Sequence, residues 1–94
     1  MSEVVVIARA KALAGREEEM AQALRRNAET SRGEEGCVSY SVLRGDEGVF
    51  MTVERWQTRG HVDSHMATPH VQTLLQTIAP MLAAPPDIQV LEEV

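Results

Sequence analysis

The stretch VFMTVERWQTRGHVDSHMATPH, residues Val49–His70, decides the fold because its hydrophobic period changes along its length. Residues Val49–Trp56 alternate as a strand, and one face of that strand carries Phe50, Thr52, Glu54 and Trp56. The residues that follow have helical spacing, and Thr68-Pro69-His70 restarts a helix with a capping threonine and a first-turn proline. We therefore expect one strand and two successive helices, with His70 in the first turn of the second helix.

The rest of the chain supplies the other elements of a small α+β fold. Strands are predicted at Glu3–Lys11 and Cys37–Arg44, with a last, less regular strand at Asp87–Glu93. A helix begins after Gly15 with three glutamates in its first turn, an order that complements the helix dipole. The order β-α-β-β-α-β predicts a ferredoxin-like domain, a four-stranded antiparallel sheet with helices on one face. Residues 1–94 are expected to form one domain.

Three finer expectations concern side-chain placement. On the second strand, Val38 and Tyr40 share one face and Cys37 lies on the other. The helix after Pro69 has an apolar stripe that consists of Val71, Leu74, Leu75, Ile78 and Leu82. His61 follows a glycine in a turn and is expected to be exposed to solvent.

Charge and composition narrow the class of protein. The net charge is −5 and lysine and arginine do not cluster, which argues against binding to nucleic acid or to an anionic membrane surface. No apolar run approaches the roughly 18 residues of a membrane span. The N-terminal stretch has no basic leader, so a cytoplasmic location is expected. The single cysteine, Cys37, excludes an internal disulfide and a cysteine-based zinc site within one chain.

One face of the predicted sheet has no helix to cover it. On the third strand this face carries Val49, Met51 and Val53, which are apolar. A bare apolar face of this kind is usually covered by a partner. We therefore expect a homodimer that is built face to face.

Two polar residues fall at positions that point inward. Asn27 follows Leu24 by one helical turn on the inner stripe of the first helix. It is either a buried side chain satisfied by backbone or water, or a contact to a ligand, and the pattern leaves both open. Glu54 is expected to pair with a histidine or with Arg9, because a buried carboxylate needs a partner.

Several short motifs are similar to those of one family. They are Glu35-Gly36-Cys37 followed by Tyr40, the strand end Val53-Glu54-Arg55-Trp56, and His65-Met66-Ala67-Thr68-Pro69-His70. With the helix after Gly15 they cover nearly the whole chain, which resembles the antibiotic biosynthesis monooxygenase-like domain. The resemblance implies a dimeric α+β barrel. Members include cofactor-independent monooxygenases of quinols or polyketide-type phenols, haem-degrading enzymes and an isomerase of a phosphorylated signalling sugar.

Departures from these branches help to sort the activities. The haem-degrading branch has an asparagine on the first strand and an iron-binding histidine in the last helix. The corresponding stretches in this chain read Val6-Ile7-Ala8-Arg9 and Leu74-Leu75-Gln76-Thr77, so haem is not expected. The polyketide-oxidising branch pairs its tryptophan, which matches Trp56, with an asparagine at the position of Thr52.

His65 and His70 are the candidate catalytic residues. The isomerase branch matches both, although it has a further histidine where Ala28 stands. The dipole at a helix start disfavours a charged His70 and leaves it able to accept a proton, whereas the alternative is a surface helix-start histidine. His65 is either a satisfied buried imidazole or a second acid/base. A metal centre from both histidines and Glu54 lacks a tight ligand spacing, so we expect no metal.

The other candidates are expected to contact a substrate in a pocket between the sheet and the helices. They are Asn27, Tyr40, Thr52, Glu54 and Trp56. Core packing would explain Trp56 equally well. A pocket for a ring system commonly measures about 300 Å³ or more.

The leading hypothesis for function is an oxidation that needs no cofactor. It is a cofactor-independent monooxygenase that oxidises a quinol or a related phenolic molecule with molecular oxygen, with a histidine as the base. One alternative is an acid/base isomerase of a small, sugar-phosphate-like metabolite. The other is a non-catalytic, dimeric module that binds a small molecule.

Overall fold

The computed structural model describes residues 3–94, which form four strands and three α-helices. In chain order the elements are β1 (Val4–Lys11), α1 (Glu17–Arg32), β2 (Cys37–Arg44), β3 (Val49–Trp56), α2 (Arg59–Met66), α3 (Pro69–Ile78), a 3₁₀ turn (Ala79–Met81) and β4 (Asp87–Glu92). The predicted ends of the strands agree with these bounds to within about one residue, the usual uncertainty of element ends.

The four strands form one antiparallel sheet in the order β2-β3-β1-β4. The hairpin partners β2 and β3 are neighbours, and the last strand pairs with the first at the other edge. With the helices packed on one face, this is the ferredoxin-like α+β arrangement that the sequence predicted. Within residues 3–94, no helix combines the length and apolar character needed to span a membrane.

The predicted alternation along β3 is confirmed. Its four buried side chains are Phe50, Thr52, Glu54 and Trp56. The register sets Val4 of β1 beside Trp56 and Val6 beside Glu54, so both strands bury side chains on the same face. Two apolar clusters fill the layer between this face and the helices, one around Phe50 and the other around Trp56.

β2 departs from strict alternation at its first residues. A β-bulge lies between Cys37 and Ser39, and Cys37 pairs with Trp56. The extra residue reverses the faces before the bulge, so Cys37 packs against the buried layer and Val38 is 47% exposed. The prediction that Val38 shares the face of Tyr40 is therefore wrong, whereas Tyr40 is buried as expected.

Threonine caps position the two shorter helices. The Thr58 side chain accepts a hydrogen bond from the backbone N–H of His61 at the start of α2. The Thr68 side chain accepts one from the backbone N–H of Val71 at the start of α3, where Pro69 occupies the first turn. The predicted helix restart at Thr68-Pro69 is confirmed.

The C-terminal end of α3 is shorter than its apolar stripe predicts. The helix ends at Ile78 and tightens into the 3₁₀ turn that contains Pro80. Leu82 lies beyond this turn and forms an isolated bridge with Ala12. The prediction that Leu82 belongs to the helical stripe is wrong, because a proline removes a backbone donor that a continuing helix needs.

His61 lies inside α2 and is half-buried, so the prediction of an exposed turn residue is wrong. The helix starts earlier than expected because Thr58 caps it, and Nδ1 of His61 lies 2.8 Å from Oγ1 of the same threonine. The imidazole packs over Gly36, where a Cβ atom would overlap the ring. Gly36 also has a φ of 85°, a conformation that favours glycine.

The sheet face opposite the helices is apolar and uncovered in the single chain. Leu43 on β2 is 52% exposed, and Leu91 on β4 is 41% exposed. The pairing register places further apolar residues on this outer face, namely Val5, Ile7, Val49, Met51 and Val53. The bare face expected from the sequence is therefore present, and the homodimer stays a prediction.

Candidate active site

His65 lies near the end of α2, and its ring is buried between that helix and the sheet. It shares the inner face of α2 with Val62, and only 3% of it is exposed. Its Nδ1 lies 2.6 Å from Oε2 of Glu34. Because an ionised carboxylate only accepts hydrogen bonds, Nδ1 carries the proton and Nε2 carries the lone pair. That Nε2 atom lies 3.7 Å from Oε1 of Glu54.

Glu34 lies in the turn between α1 and β2 and connects the two predicted catalytic histidines. Its Oε2 lies 3.0 Å from Nε2 of His70, and its side chain is 16% exposed. Oγ of Ser31 lies 3.3 Å from the same nitrogen of His70. One ligand atom from each of Glu34, His65 and His70 falls within 4.8 Å of the others.

Glu54 is held by its neighbours on β3. Thr52 donates a hydrogen bond from Oγ1 to Oε2 at 2.8 Å, and Trp56 donates one from Nε1 to Oε1 at 3.0 Å. Residues two apart on a strand share a face, so the strand itself creates these contacts. The Trp56 ring also packs against that of His65, with 4.6 Å between the ring centroids. Glu54 thus faces His65 rather than Arg9, which the alternation of β1 places on the opposite face.

Tyr40 and Asn27 form a second buried polar pair. Asn27 donates a hydrogen bond from Nδ2 to the Tyr40 hydroxyl at 3.1 Å. Burial raises the pKa of the Tyr40 phenol above its ordinary value, and the nearby Glu54 carboxylate raises that pKa further. Tyr40 therefore remains a neutral O–H donor near neutral pH. Oδ1 of Asn27 is buried without a hydrogen-bond partner in residues 3–94, which leaves an acceptor open to a bound molecule.

Cys37 lies close to this cluster but is unsuited to act as a nucleophile. Burial raises the pKa of its thiol, and the carboxylates of Glu34 and Glu54 raise that pKa further. The reactive form of a cysteine is the thiolate, which this environment disfavours. The chemistry of the site therefore rests on histidine, tyrosine and carboxylate groups.

A cavity of about 70 Å³ lies between the sheet and helices α1 and α3. Its polar wall consists of Asn27, Tyr40, Thr52, Glu54 and His65. The rest of the wall is mainly apolar and includes Phe50, Leu74 and Ile78. A cavity of this size holds a few water molecules, so the predicted ring-sized pocket of about 300 Å³ is not present. Apolar side chains of α3, among them Leu74 and Ile78, form part of the wall that encloses this small volume.

A larger and more open cavity, the outer groove, lies on the solvent side of α1 and α3. Its volume is about 390 Å³, and His70, Thr73 and Thr77 contribute to its wall. Asn27 and Leu74 belong to the walls of both cavities, so they separate the inner cavity from the outer groove. The two volumes would join if this partition moved.

The structure brings five of the seven predicted site residues to the wall of the inner cavity. The other two do not border it. Trp56 is fully buried behind His65 and supports Glu54, while His70 lies beyond Glu34 in the outer groove.

Glu34 is the site residue that sequence reasoning missed, since it lies in the turn between α1 and β2 rather than on a periodic face. A signal was available in the topology. A turn that follows the first helix of this fold lies near the α2–α3 junction, so an acidic residue there can meet the histidines of that junction.

Fold and site together define a ferredoxin-like α+β domain with a buried histidine–carboxylate cluster beside an apolar cavity. Residues 3–77 match the family model described as antibiotic biosynthesis monooxygenase. The chain belongs to this family, as its short motifs indicated.

Solved structures share the fold over nearly the whole chain. A candidate antibiotic biosynthesis monooxygenase from Nitrosomonas europaea is 26% identical with a TM-score of 0.93, and the match covers 99% of this chain and 91% of that one. A protein from Mycobacterium tuberculosis is 28% identical with a TM-score of 0.92, over 99% of this chain and 96% of that one.

A curated relative matches part of the chain. It is an uncharacterized protein of Synechocystis, 33% identical over 64 residues. The match covers 66% of this chain and 44% of the relative. The chain thus aligns with less than half the length of that protein.

Proposed function

We propose that this chain is a cofactor-independent monooxygenase that oxidises a quinol or a related phenol with molecular oxygen. The observation that carries the proposal is the arrangement of His65. One ring nitrogen is held by Glu34, and the other faces the polar wall of an apolar cavity. Membership of a monooxygenase family supports the same class of reaction.

His65 is the general base in this proposal. Nε2 takes the proton of the phenolic hydroxyl, and the Glu34 carboxylate stabilises the imidazolium that forms. Tyr40 donates its O–H to the developing phenolate oxygen, and the unpaired Oδ1 of Asn27 accepts from a second hydroxyl. His70 continues the hydrogen-bonded path from Glu34 to the outer groove, along which the proton can be held and then returned when water is formed.

The oxidation that follows needs no further redox partner. The phenolate is an electron-rich anion that passes one electron to O₂, and a ring that displaces the water from a mainly apolar cavity leaves the resulting pair protected from solvent. Recombination forms a C–O bond, and loss of water leaves a quinone. One phenol with a free C–H and one O₂ give one quinone and one water, so atoms and electrons balance without an external reductant.

The wall of the cavity favours a ring over a sugar phosphate. Apart from the polar end, its wall is mainly apolar. Arg9 borders the cavity, but the alternation of β1 places its side chain on the opposite face of the sheet. A phosphate group is usually held by several cationic or backbone donors. Because the enclosed volume is about 70 Å³, a ring enters only if apolar side chains such as Leu74 move. The outer groove on the other side of Leu74 provides room for that movement.

The proposal includes a homodimer. Leu43, Met51 and Leu91 belong to an apolar sheet face that no helix of residues 3–94 covers. Burial of such a face stabilises association by roughly 25 cal/mol per Å² of apolar surface before the costs of ordering are subtracted. A second copy of the chain, placed face to face, would cover it.

An oxygen-electrode screen of metal-free protein against hydroquinones and monophenols tests the reaction. The expected result is O₂ consumption matched by one quinone per O₂, lost in His65→Gln and kept in the matched control His61→Ala. If the His65→Gln variant still consumes O₂, His65 is not the base. If no compound is oxidised but ligands still bind, the non-catalytic module is the better description.

A further inference from the structure

We propose that Glu34, His65 and His70 form a binding site for a divalent transition-metal ion of the zinc type. The three ligand atoms are Oε2 of Glu34, Nδ1 of His65 and Nε2 of His70, and all lie within 4.8 Å of one another. Ligand atoms around a tetrahedral zinc ion are roughly 3.3 Å apart, given bonds of about 2.0–2.1 Å. The two carboxylate–imidazole distances of 2.6 and 3.0 Å are hydrogen-bond distances shorter than that spacing, and all three separations stay within 4.8 Å. Small rotations of the three side chains would therefore be needed to place their ligand atoms around an ion.

The surroundings of His65 match those of a metal-bound histidine. Such a histidine usually directs its other ring N–H at a carboxylate, which fixes the tautomer. Nε2 of His65 faces Oε1 of Glu54 at 3.7 Å. Glu54 is itself held by hydrogen bonds from Thr52 and Trp56. A metal on Nδ1 would move the ring proton to Nε2, where this carboxylate can accept it.

Charge and access also favour a cation at this position. The carboxylates of Glu34 and Glu54 lie on opposite edges of the His65 ring. Solvent exposure increases across the ligand set, since the side chains of His65, Glu34 and His70 are 3%, 16% and 24% exposed. An ion can therefore arrive from the outer groove beside His70, and water can fill the remaining coordination position.

The donor set restricts the kind of ion. Two imidazole nitrogens and one carboxylate oxygen suit Zn²⁺, Co²⁺ and related borderline ions rather than Ca²⁺ or Mg²⁺, which prefer oxygen ligands. A bound ion replaces the hydrogen bonds that now join Glu34 to the histidines. It would also leave His65 without a free lone pair, so the metal-bound chain could not use that residue as a base.

The test is titration of metal-stripped protein with Zn²⁺ alone, followed by calorimetry, together with the visible spectrum after addition of Co²⁺. The wild type is expected to bind one ion per chain, with protons released as the ligands lose their hydrogen bonds. Glu34→Gln and His70→Ala are expected to weaken binding by about a hundredfold or more, since even outer-shell changes cost ten- to hundredfold. His61→Ala removes the third histidine of the chain, which lies outside the site, and is expected to keep the affinity.

Two results would overturn the site. One is the absence of stoichiometric Zn²⁺ uptake by the wild type, which would leave only a hydrogen-bonded network. The other is equal affinity in the wild type, Glu34→Gln and His70→Ala. Circular dichroism of each variant checks the fold. If His70→Ala does not fold, the affinity of the nearly isosteric Glu34→Gln alone tests the site. The readout is binding, so it is independent of whether the chain oxidises phenols.

Discussion

Oε2 of Glu34 lies 2.6 Å from Nδ1 of His65, although the two residues are 31 positions apart in the chain. The contact joins the turn after α1 to the end of α2. It also decides which ring nitrogen of His65 can accept a proton, because the nitrogen that faces Glu34 must donate. Glu54 lies at the other edge of the ring and Trp56 against its face. The imidazole is thereby fixed in one orientation.

The first prediction concerns Glu34→Gln. The amide keeps the size of the side chain but removes its charge and offers a donor as well as an acceptor, so the His65 tautomer is no longer fixed. On a substrate found by screening, we expect turnover to fall by roughly a hundredfold, a usual scale for disturbing a general base. Glu35→Gln, at the exposed neighbouring position, is the matched control. Equal turnover in both variants would show that Glu34 has no part in the reaction.

The second prediction ranks the two histidines. His65 borders the inner cavity, whereas His70 is connected to it only through Glu34. We expect His65→Ala to lower turnover by roughly a hundredfold or more and His70→Ala to lower it less, because only the first removes the base. Steady-state rates at saturating substrate measure the order. A larger loss of turnover in His70→Ala would indicate that His70, in the outer groove, is the base.

The parts of the fold that could be predicted are those determined by residues close together in the sequence. The alternation of β3 and the Thr68-Pro69 restart depend on neighbours in the chain, and both are confirmed. The bulge at Cys37 was not predicted, because it depends on how β2 meets β3. The position of Leu82 outside the helix was not predicted either, because it depends on pairing with Ala12, which is distant in the sequence.

Most residues of the site could be predicted from the sequence, but the contacts between them could not. Inward positions identified polar residues such as Asn27 and Glu54, since the period of each element fixes its buried face. Glu34 belongs to a turn, which has no period, so its contact with His65 could not be inferred from spacing. The volume of the cavity depends on how the side chains that line it, such as Leu74, pack together, and packing is a property of the whole layer.

The third prediction concerns alkaline pH. The pKa of Tyr40 is raised in the folded state, whereas an unfolded tyrosine has a pKa of about 10. The stability that comes from Tyr40 is therefore complete below about pH 10 and is lost as the pH rises further, because the unfolded chain releases its proton first. Tyr40 is the only tyrosine, so the ultraviolet absorbance of tyrosinate reports it alone.

We expect that absorbance to appear together with unfolding rather than before it. Tyr40→Phe should show a flatter loss of stability above pH 10. At neutral pH it should be less stable by about 1–3 kcal/mol, because Nδ2 of Asn27 loses its buried partner. Titration of the phenol near pH 10 in folded protein would contradict the buried position of Tyr40.

The fourth prediction tests the contact between Gly36 and His61. Gly36→Ala adds a Cβ that overlaps the imidazole, and the positive φ of 85° adds about 1–2 kcal/mol of backbone strain. We expect a lower thermal midpoint, by about 4–8 °C for each kcal/mol. In the His61→Ala background the same substitution should cost less, because only the strain remains. Identical costs in both backgrounds would mean that the ring moves away freely.

The last prediction concerns assembly and uses Met51→Lys. Met51 lies on the uncovered sheet face beside Leu43 and Arg9 in the pairing register. In a face-to-face dimer the new ammonium would be desolvated without a partner, which costs several kcal/mol, comparable to the stability of a small domain. Light scattering at micromolar concentration should give twice the chain mass for the wild type and for Gln76→Lys, an exposed control on α3, but a single chain mass for Met51→Lys. A monomeric wild type would contradict the predicted dimer. A fully stable, dimeric Met51→Lys variant would show that a different surface holds the two copies together.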